Sequence, residues 1–143
     1  MVYSVYSAKY FTIEELVTHK HYVEFSKRAL WRVFDDRILK ALDMLRKDLG
    51  PIVVNNWMAG GGLENCGLRF PSFYSSPSVS QHIFGRAMDL HVKEHKPKEV
   101  RKFILDNQTK YRPVISRLEG DTDTWVHIDI CNSDKDEIIV FGG

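Results

Sequence analysis

Ser80-Gln81-His82-Ile83-Phe84-Gly85-Arg86-Ala87-Met88-Asp89-Leu90-His91 is the stretch from which the rest of the chain can be placed. From Arg86 onward the residues alternate: Ala87, Asp89 and His91 fall on one side, Met88, Leu90 and Val92 on the other. That is the two-residue period of a strand with one apolar face. Gly85, just ahead of it, permits a sharp bend or a close backbone approach. The turn brings His82 back towards Asp89, so two metal-ligand residue types meet at the head of a strand.

A second alternating stretch lies at residues 124–131. Trp125, His127, Asp129 and Cys131 share one side, and Val126, Ile128 and Ile130 the other. If the two strands pair with their apolar sides on one core, Asp89 and His127 share the opposite face. Cross-strand neighbours there stand about 5 Å apart, close enough to share a metal. His82, Asp89 and His127 then form a set of two imidazoles and one carboxylate with a fourth position open, a ligand set for a catalytic zinc ion (Zn2+). The same set suits non-haem iron, so ligand type alone does not select the metal.

The pattern Ser-x-His-x-x-Gly-x-Ala-x-Asp, followed about forty residues later by Trp-x-His-x-Asp, resembles the zinc D-Ala-D-Ala carboxypeptidase / L-alanyl-D-glutamate endopeptidase family. These are peptidoglycan-cutting enzymes of bacteria and their phages, and the hedgehog signalling domain shares their fold. Ser80, His82, Gly85, Ala87 and Asp89 match every fixed position of the first motif, and the resemblance spans roughly residues 30–131. It implies a zinc-dependent hydrolase that cuts a D-Ala-D-Ala or L-Ala-D-Glu bond of the peptidoglycan stem peptide. In that family a Ser-Gly-x-Arg motif supplies a substrate-binding arginine. Cys66-Gly67-Leu68-Arg69 is the nearest match here, with Cys for Ser and a glycine loop displacing it, which implies Arg69 as a substrate ligand. A guanidinium suits a peptide carboxylate or a developing oxyanion, because it donates in a fixed fork. Many members also carry a glutamate base a few residues before the second histidine. Thr124 stands three residues before His127 and cannot serve, which leaves Glu119, Asp121 and Asp123. Glu119 is favoured for its longer side chain at the end of the preceding strand, with Asp123 next.

Length and composition set the frame. At 143 residues, 43% of them hydrophobic and 27% charged, the chain is expected to form one domain, residues 1–143, with an ordinary core. A net charge of +1 gives no electrostatic case for nucleic acid or an anionic membrane as partner. No apolar run approaches a membrane span. Residues 1–7 lack the basic-then-apolar pattern of a secretory signal, so synthesis and folding in a cytoplasm are expected. Cys66 and Cys131 are then expected as free thiols. A wall enzyme made there reaches its substrate after host lysis or from a virion, which fits a phage origin. The expected working form is a monomer.

The remaining segments complete an α+β order. Residues 1–11 suggest an edge strand or an arm. Thr12-Ile13-Glu14-Glu15 has the form of a capping box, and His19 and His21 are expected at a solvated helix end. Residues 25–49 carry a helical pattern through Ile38, Leu42, Leu45 and Leu49, stopped by Gly50-Pro51. Residues 52–54 read as a buried strand, Gly60-Gly61-Gly62 as a flexible loop, and residues 70–79 as a loop rimming a cleft, with Tyr74 a candidate for stacking on substrate. Pro97 and Glu99 open a second helix that fades near Asn107. Residues 114–119 and 124–131 form a β-hairpin across the turn at residues 120–123, and residues 137–141 a last strand. The expected architecture is a small antiparallel sheet with helices packed on one face.

Asp129, two residues from His127, is placed to orient a ligand imidazole. His91 is similarly placed beside Asp89, as a group that steadies the transition state. Ser80 and Gln81 face substrate, or Ser80 simply forms the turn. The competing expectation is a non-catalytic zinc module, a virion or binding protein of the same fold that keeps the metal without the base.

Overall fold

A computed structural model describes residues 5–71 and 80–142. Tyr3, Tyr74 and most of the loop expected at residues 70–79 lie outside the described residues. The chain folds as an α+β domain with five α-helices and a five-stranded sheet among those residues.

The N-terminal segment is an arm, tied down by a buried acid. Asp43 accepts hydrogen bonds from the Tyr6 hydroxyl (2.7 Å) and from the backbone N–H of Lys9 (2.7 Å) and Tyr10 (3.1 Å). The capping box is present: the Thr12 N–H donates to Glu15 at 2.7 Å and starts the short 3-10 turn Ile13–Glu15. Helix α1 (His19–Glu24) begins at Thr18, whose hydroxyl accepts the His21 N–H at 3.1 Å. His21 is therefore not solvated. It is buried, and its ring stacks on Phe70 with centroids 3.8 Å apart.

The helical pattern of residues 25–49 is divided into α2 (Lys27–Val33) and α3 (Asp36–Leu49). Asp35 causes the break, since its carboxylate accepts the Arg37 N–H at 2.9 Å and so caps a new helix. Its own N–H, freed from α2, donates to the carbonyl of Gly85 at 3.0 Å. Ile38, Leu42, Leu45 and Leu49 form the buried stripe of α3, and Gly50 ends it. Helix α4 (Pro97–Asp106) starts at the proline, with the Glu99 carboxylate accepting the Lys96 N–H at 3.1 Å. The one-turn helix α5 (Gln108–Tyr111) follows it.

The strands are β1 (Ile52–Val53), β2 (Ala87–Val92), β3 (Arg117–Glu119), β4 (Val126–Asp129) and β5 (Ile139–Phe141), ordered β1-β2-β4-β3-β5. Strand β2 pairs antiparallel with β4 through Met88↔Ile128 and Asp89↔His127, and β3 pairs antiparallel with β4 through Arg117↔Asp129. The sheet is nevertheless mixed rather than antiparallel, because β5 runs parallel to β3. Connectivity explains this. Strand β2 already occupies one side of β4 and β3 the other, so the last strand cannot pair with β4 and adds instead at the nearby edge of β3. The chain leaves β4 at Asp129, level with Arg117 at the start of β3, and Ile139 enters opposite Arg117.

Met88, Leu90, Leu118, Val126 and Ile128 lie on one face and join Ile38, Leu42, Val100 and Ile104 in the core. Helix α3 packs against β2, and α4 against β2 and β4. The segment that returns to the sheet is held by its backbone. The Leu68 N–H donates to the Leu16 carbonyl at 2.9 Å, and the Asp89 N–H to the Cys66 carbonyl at 2.7 Å. A Cβ on Gly67 would stand 2.1 Å from the Leu16 carbonyl oxygen, so only glycine allows this approach. Among the described residues no helix is long and apolar enough to cross a membrane.

Candidate metal centre

The face of the sheet turned away from the core carries a row of side chains. Asp89 on β2 pairs with His127 on β4. Continuing the β3–β4 register by one residue beyond Leu118↔Ile128 puts Glu119 beside His127, and Phe141 pairs with Glu119. The next row holds Ala87, Asp129 and Arg117. Two-residue alternation on three strands thus gathers Asp89, His127, Asp129, Arg117 and Glu119 on one side.

His82 reaches this row from the turn before β2. The turn is closed by the Ile83 N–H donating to the Ser80 carbonyl (3.0 Å) and the Arg86 N–H to the Gln81 carbonyl (2.9 Å). Gly85 has φ +67, and a Cβ there would stand 2.6 Å from the Val33 carbonyl oxygen. The bend is therefore wedged into the break between α2 and α3.

The hydrogen bonds define which atom each histidine presents. His82 Nδ1 lies 2.9 Å from the Gly67 carbonyl oxygen, which can only accept, so Nδ1 carries the proton and Nε2 turns inward. His127 Nε2 lies 2.8 Å from Asp129 Oδ2, and Nδ1 faces Asp89. Asp89 Oδ1 is 3.3 Å from His82 Nε2 and 3.0 Å from His127 Nδ1. All three residues are buried, and their ligand atoms lie within 4.8 Å of one another, so the group can hold one metal ion. Bonds of about 2.0–2.1 Å at tetrahedral angles require ligand atoms roughly 3.3 Å apart, close to the two spacings at Asp89. Donor set and spacing fit zinc, and the donor set also suits iron.

Behind these groups stand two arginines. Arg117 forms a two-point bridge to the fully buried Asp129, at 2.9 and 2.8 Å. Its guanidinium lies over the Phe141 ring, 4.4 Å from the centroid. Arg69 donates to Asp89 Oδ2 at 2.9 Å and to the Asn65 carbonyl at 2.6 Å. Asp89 therefore has one oxygen held by Arg69 and the other facing the histidines.

The electrostatics follow. Burial works to raise the Asp89 carboxyl, but the bonds from His127 and His82 outweigh it and hold Asp89 far below the usual carboxylate range. Burial would lower His127, yet the bonds to Asp129 and Asp89 raise it from 6.5 to about 9. Asp129 is likewise depressed, burial being overcome by His127 and Arg117. Burial, with Asp89 nearby, pushes the Cys66 thiol up to about 11, so it stays protonated and is a poor metal ligand at neutral pH.

These groups line a polar cavity of about 350 Å³, together with Arg69, Ser80, Gln81, Glu119, Trp125 and Phe141. Ser80 helps form the turn, its hydroxyl accepting the His82 N–H at 3.3 Å, and also faces the cavity. Gln81 Oε1 is a buried acceptor with no partner among the described residues. His91 does not join the site: it is two residues further along β2, opposite Val53, outside the cavity lining. Asp123 and Asp121 are exposed on the turn and also stand outside it. Cys66 and Cys131 are free thiols. Sequence reasoning missed Arg117, although its parity with Glu119 in the hairpin was the available signal. It also missed Phe141, which the parallel β5 alone brings in. No protein-family model, curated protein or solved structure matches the chain.

Proposed function

We propose that the protein is a zinc peptidase with a hedgehog/DD-peptidase-like fold that hydrolyses a peptide bond of the peptidoglycan stem. The observation that carries the hydrolytic reading is the row Asp89–His127–Glu119, with His82 closing the ligand set, in a polar cavity. The choice of stem peptide rests on the motif resemblance.

His82, Asp89 and His127 would hold the ion through Nε2, one carboxylate oxygen and Nδ1. A bound zinc ion supplies a water of lowered pKa and a positive charge beside the scissile carbonyl. Every other part belongs to the chain. Asp129 keeps the His127 Nε2 proton in place, so that Nδ1 offers its lone pair to the metal. Arg117 fixes Asp129 in turn. Glu119, one strand from His127, is the carboxylate that takes the proton from the attacking water and passes it to the leaving amine. Gln81 and Ser80 line the cavity wall beside the ligand turn. Trp125 and Phe141 wall the cavity. Arg69 acts chiefly by fixing Asp89, and its partly exposed guanidinium borders the cavity, where it can meet a substrate carboxylate.

The test is digestion of purified peptidoglycan with product mass spectrometry, beside elemental analysis of the protein. The wild type is expected to carry one zinc per chain and to release stem fragments cut at one bond. Glu119→Gln is expected to keep the zinc and lose about 100-fold or more of the rate, the usual scale of general-base catalysis. Zinc retained with no hydrolysis by the wild type would establish the non-catalytic module instead.

A further inference from the structure

Just past the row of Ala87, Asp129 and Arg117, where the chain enters β2 and β3 and leaves β4, lies a second polar cavity, of about 300 Å³, that shares no lining residue with the candidate metal centre. Arg37, Arg86 and Arg112 line it, with Asn132 and Ser133 from the chain leaving β4. Cys131, on its wall, is four residues along from His127, about 13 Å by strand rise. No carboxylate is among its lining residues.

The three guanidiniums differ in how well they are satisfied. Arg37 is occupied by Asp35, through bonds of 3.0 and 2.8 Å. Arg86 is exposed and makes no side-chain hydrogen bond or ion pair with any described residue, although Asp35 is near enough to feel its charge. Arg112 gives one Nη2 proton to the backbone carbonyl of Lys135, and its Nε is a buried donor without a partner among the described residues. Asp136 lines an adjoining hollow that shares Arg112 and Pro113 with this cavity, and it forms no ion pair with Arg112. Subtracting the Asp35 charge from three guanidiniums leaves two positive charges facing a cavity that offers donors and no acid. A buried guanidinium N–H left unmade is costly, and a planar fork of donors is best met by oxygens carrying negative charge.

We propose that this cavity binds a phosphate-class oxyanion carried as a dianion, that is, free phosphate or a phosphomonoester. Two uncompensated charges match a dianion, and the Asn132 and Ser133 side chains supply neutral donors for the remaining oxygens. Two forked arginines favour phosphate oxygens over a halide, which has no directional acceptor geometry. The inference is independent of any activity at the metal centre.

The test is titration with methyl phosphate at about pH 8, where a phosphomonoester is a dianion, followed by backbone amide chemical shifts. Sodium chloride at matched ionic strength and dimethyl phosphate, a monoanion, are run in parallel. Saturating shifts are expected at Arg86, Arg112, Asn132 and Ser133, with the amides of His82, Asp89 and His127 unmoved. Arg86→Ala, at an exposed position, is expected to keep the fold and weaken binding about tenfold or more, the scale of a charge-assisted hydrogen bond. Arg112→Lys, which keeps the charge and loses the fork, is expected to weaken it as well. Inorganic phosphate binding as tightly as methyl phosphate points to the free ion as the source, and tighter methyl phosphate to an ester. Shifts reproduced by chloride, centred on the metal centre, or unchanged in Arg86→Ala would overturn the assignment. Equal affinity for dimethyl phosphate would overturn the dianion.

Discussion

His127 has a carboxylate at each ring nitrogen, Asp89 at Nδ1 and Asp129 at Nε2, and this is what raises it to about 9. A proton on Nδ1 and a metal ion need the same lone pair, so they compete. Below about pH 9 the proton must leave before the ion enters, and metal affinity is expected to rise up to tenfold per pH unit towards that value and then level off. Competition titrations against a chromophoric chelator between pH 6 and 9 check this; a flat profile would show that His127 is already neutral. The chelated protein is expected to have the opposite stability trend. A raised histidine stabilises the fold fully below about 6.5, and the contribution, on the order of 3 kcal/mol, is lost as the pH rises through about 9. The depressed Asp89 and Asp129 act the other way, stabilising above the ordinary carboxylate range and losing that contribution in acid. That His82, Asp89 and His127 come together in a group able to hold a metal ion was readable from residue type and spacing. How Arg69 is used was not: a motif places it near the site, but only folding back over Leu16 and Asp89 turns it onto a carboxylate.

The turn that delivers His82 and the break between α2 and α3 are one construction, because Gly85 sits against Val33 and its carbonyl takes the Asp35 N–H. Gly85→Ala is expected to cost about 1–3 kcal/mol, the scale of a strained left-handed residue, and more if the Val33 contact cannot relax. Zinc affinity should fall with it, since His82 rides on the bend. Asp35→Ala removes a helix cap and the exposed ion pair with Arg37, and is expected to cost about 1–2 kcal/mol with zinc affinity near that of the wild type. Urea denaturation and zinc titration of the two variants make the comparison; equal zinc loss in both would mean that the bend is held by α3 rather than by Gly85. The elements that periodicity reveals, β2, β4 and the stripe of α3, were legible because each has one buried and one polar side. The helix break was hidden because Phe34 and Ile38 continue the apolar pattern across it, and the Asp35 N–H that leaves α2 finds its acceptor, the Gly85 carbonyl, fifty residues away. The parallel β5 was hidden for a different reason: its direction follows from which nearby sheet edge is left free, a property of the whole strand order.

The candidate metal centre and the hydrophobic core lie on opposite faces of the same strands, and that division predicts how the molecule would respond to losing a metal bound there. Ile38, Leu42, Leu45, Met88, Leu90, Ile104 and Ile128 are wholly buried without contribution from the ligand face. The ligand-face acids are moreover compensated within the chain, Asp89 by Arg69 and Asp129 by Arg117. Removing the ion therefore exposes no uncompensated pair of carboxylates, unlike a small zinc domain whose only core is the metal. After exhaustive chelation the domain is expected to keep its far-ultraviolet circular dichroism and to unfold in one cooperative transition at a lower midpoint. The size of the drop follows mass action: at free zinc a thousandfold above Kd, binding contributes about 4 kcal/mol. For a domain of this length that corresponds to very roughly 8–16 °C, at about 2–4 °C per kcal/mol. Calorimetry across a series of free zinc concentrations checks it, because the midpoint must move with the logarithm of concentration. A chelated protein without a cooperative transition would place the metal inside the folding core and show that the two faces are not separable. A midpoint indifferent to zinc would remove the ion from the native state altogether, and with it the hydrolytic reading of the row at Asp89, His127 and Glu119.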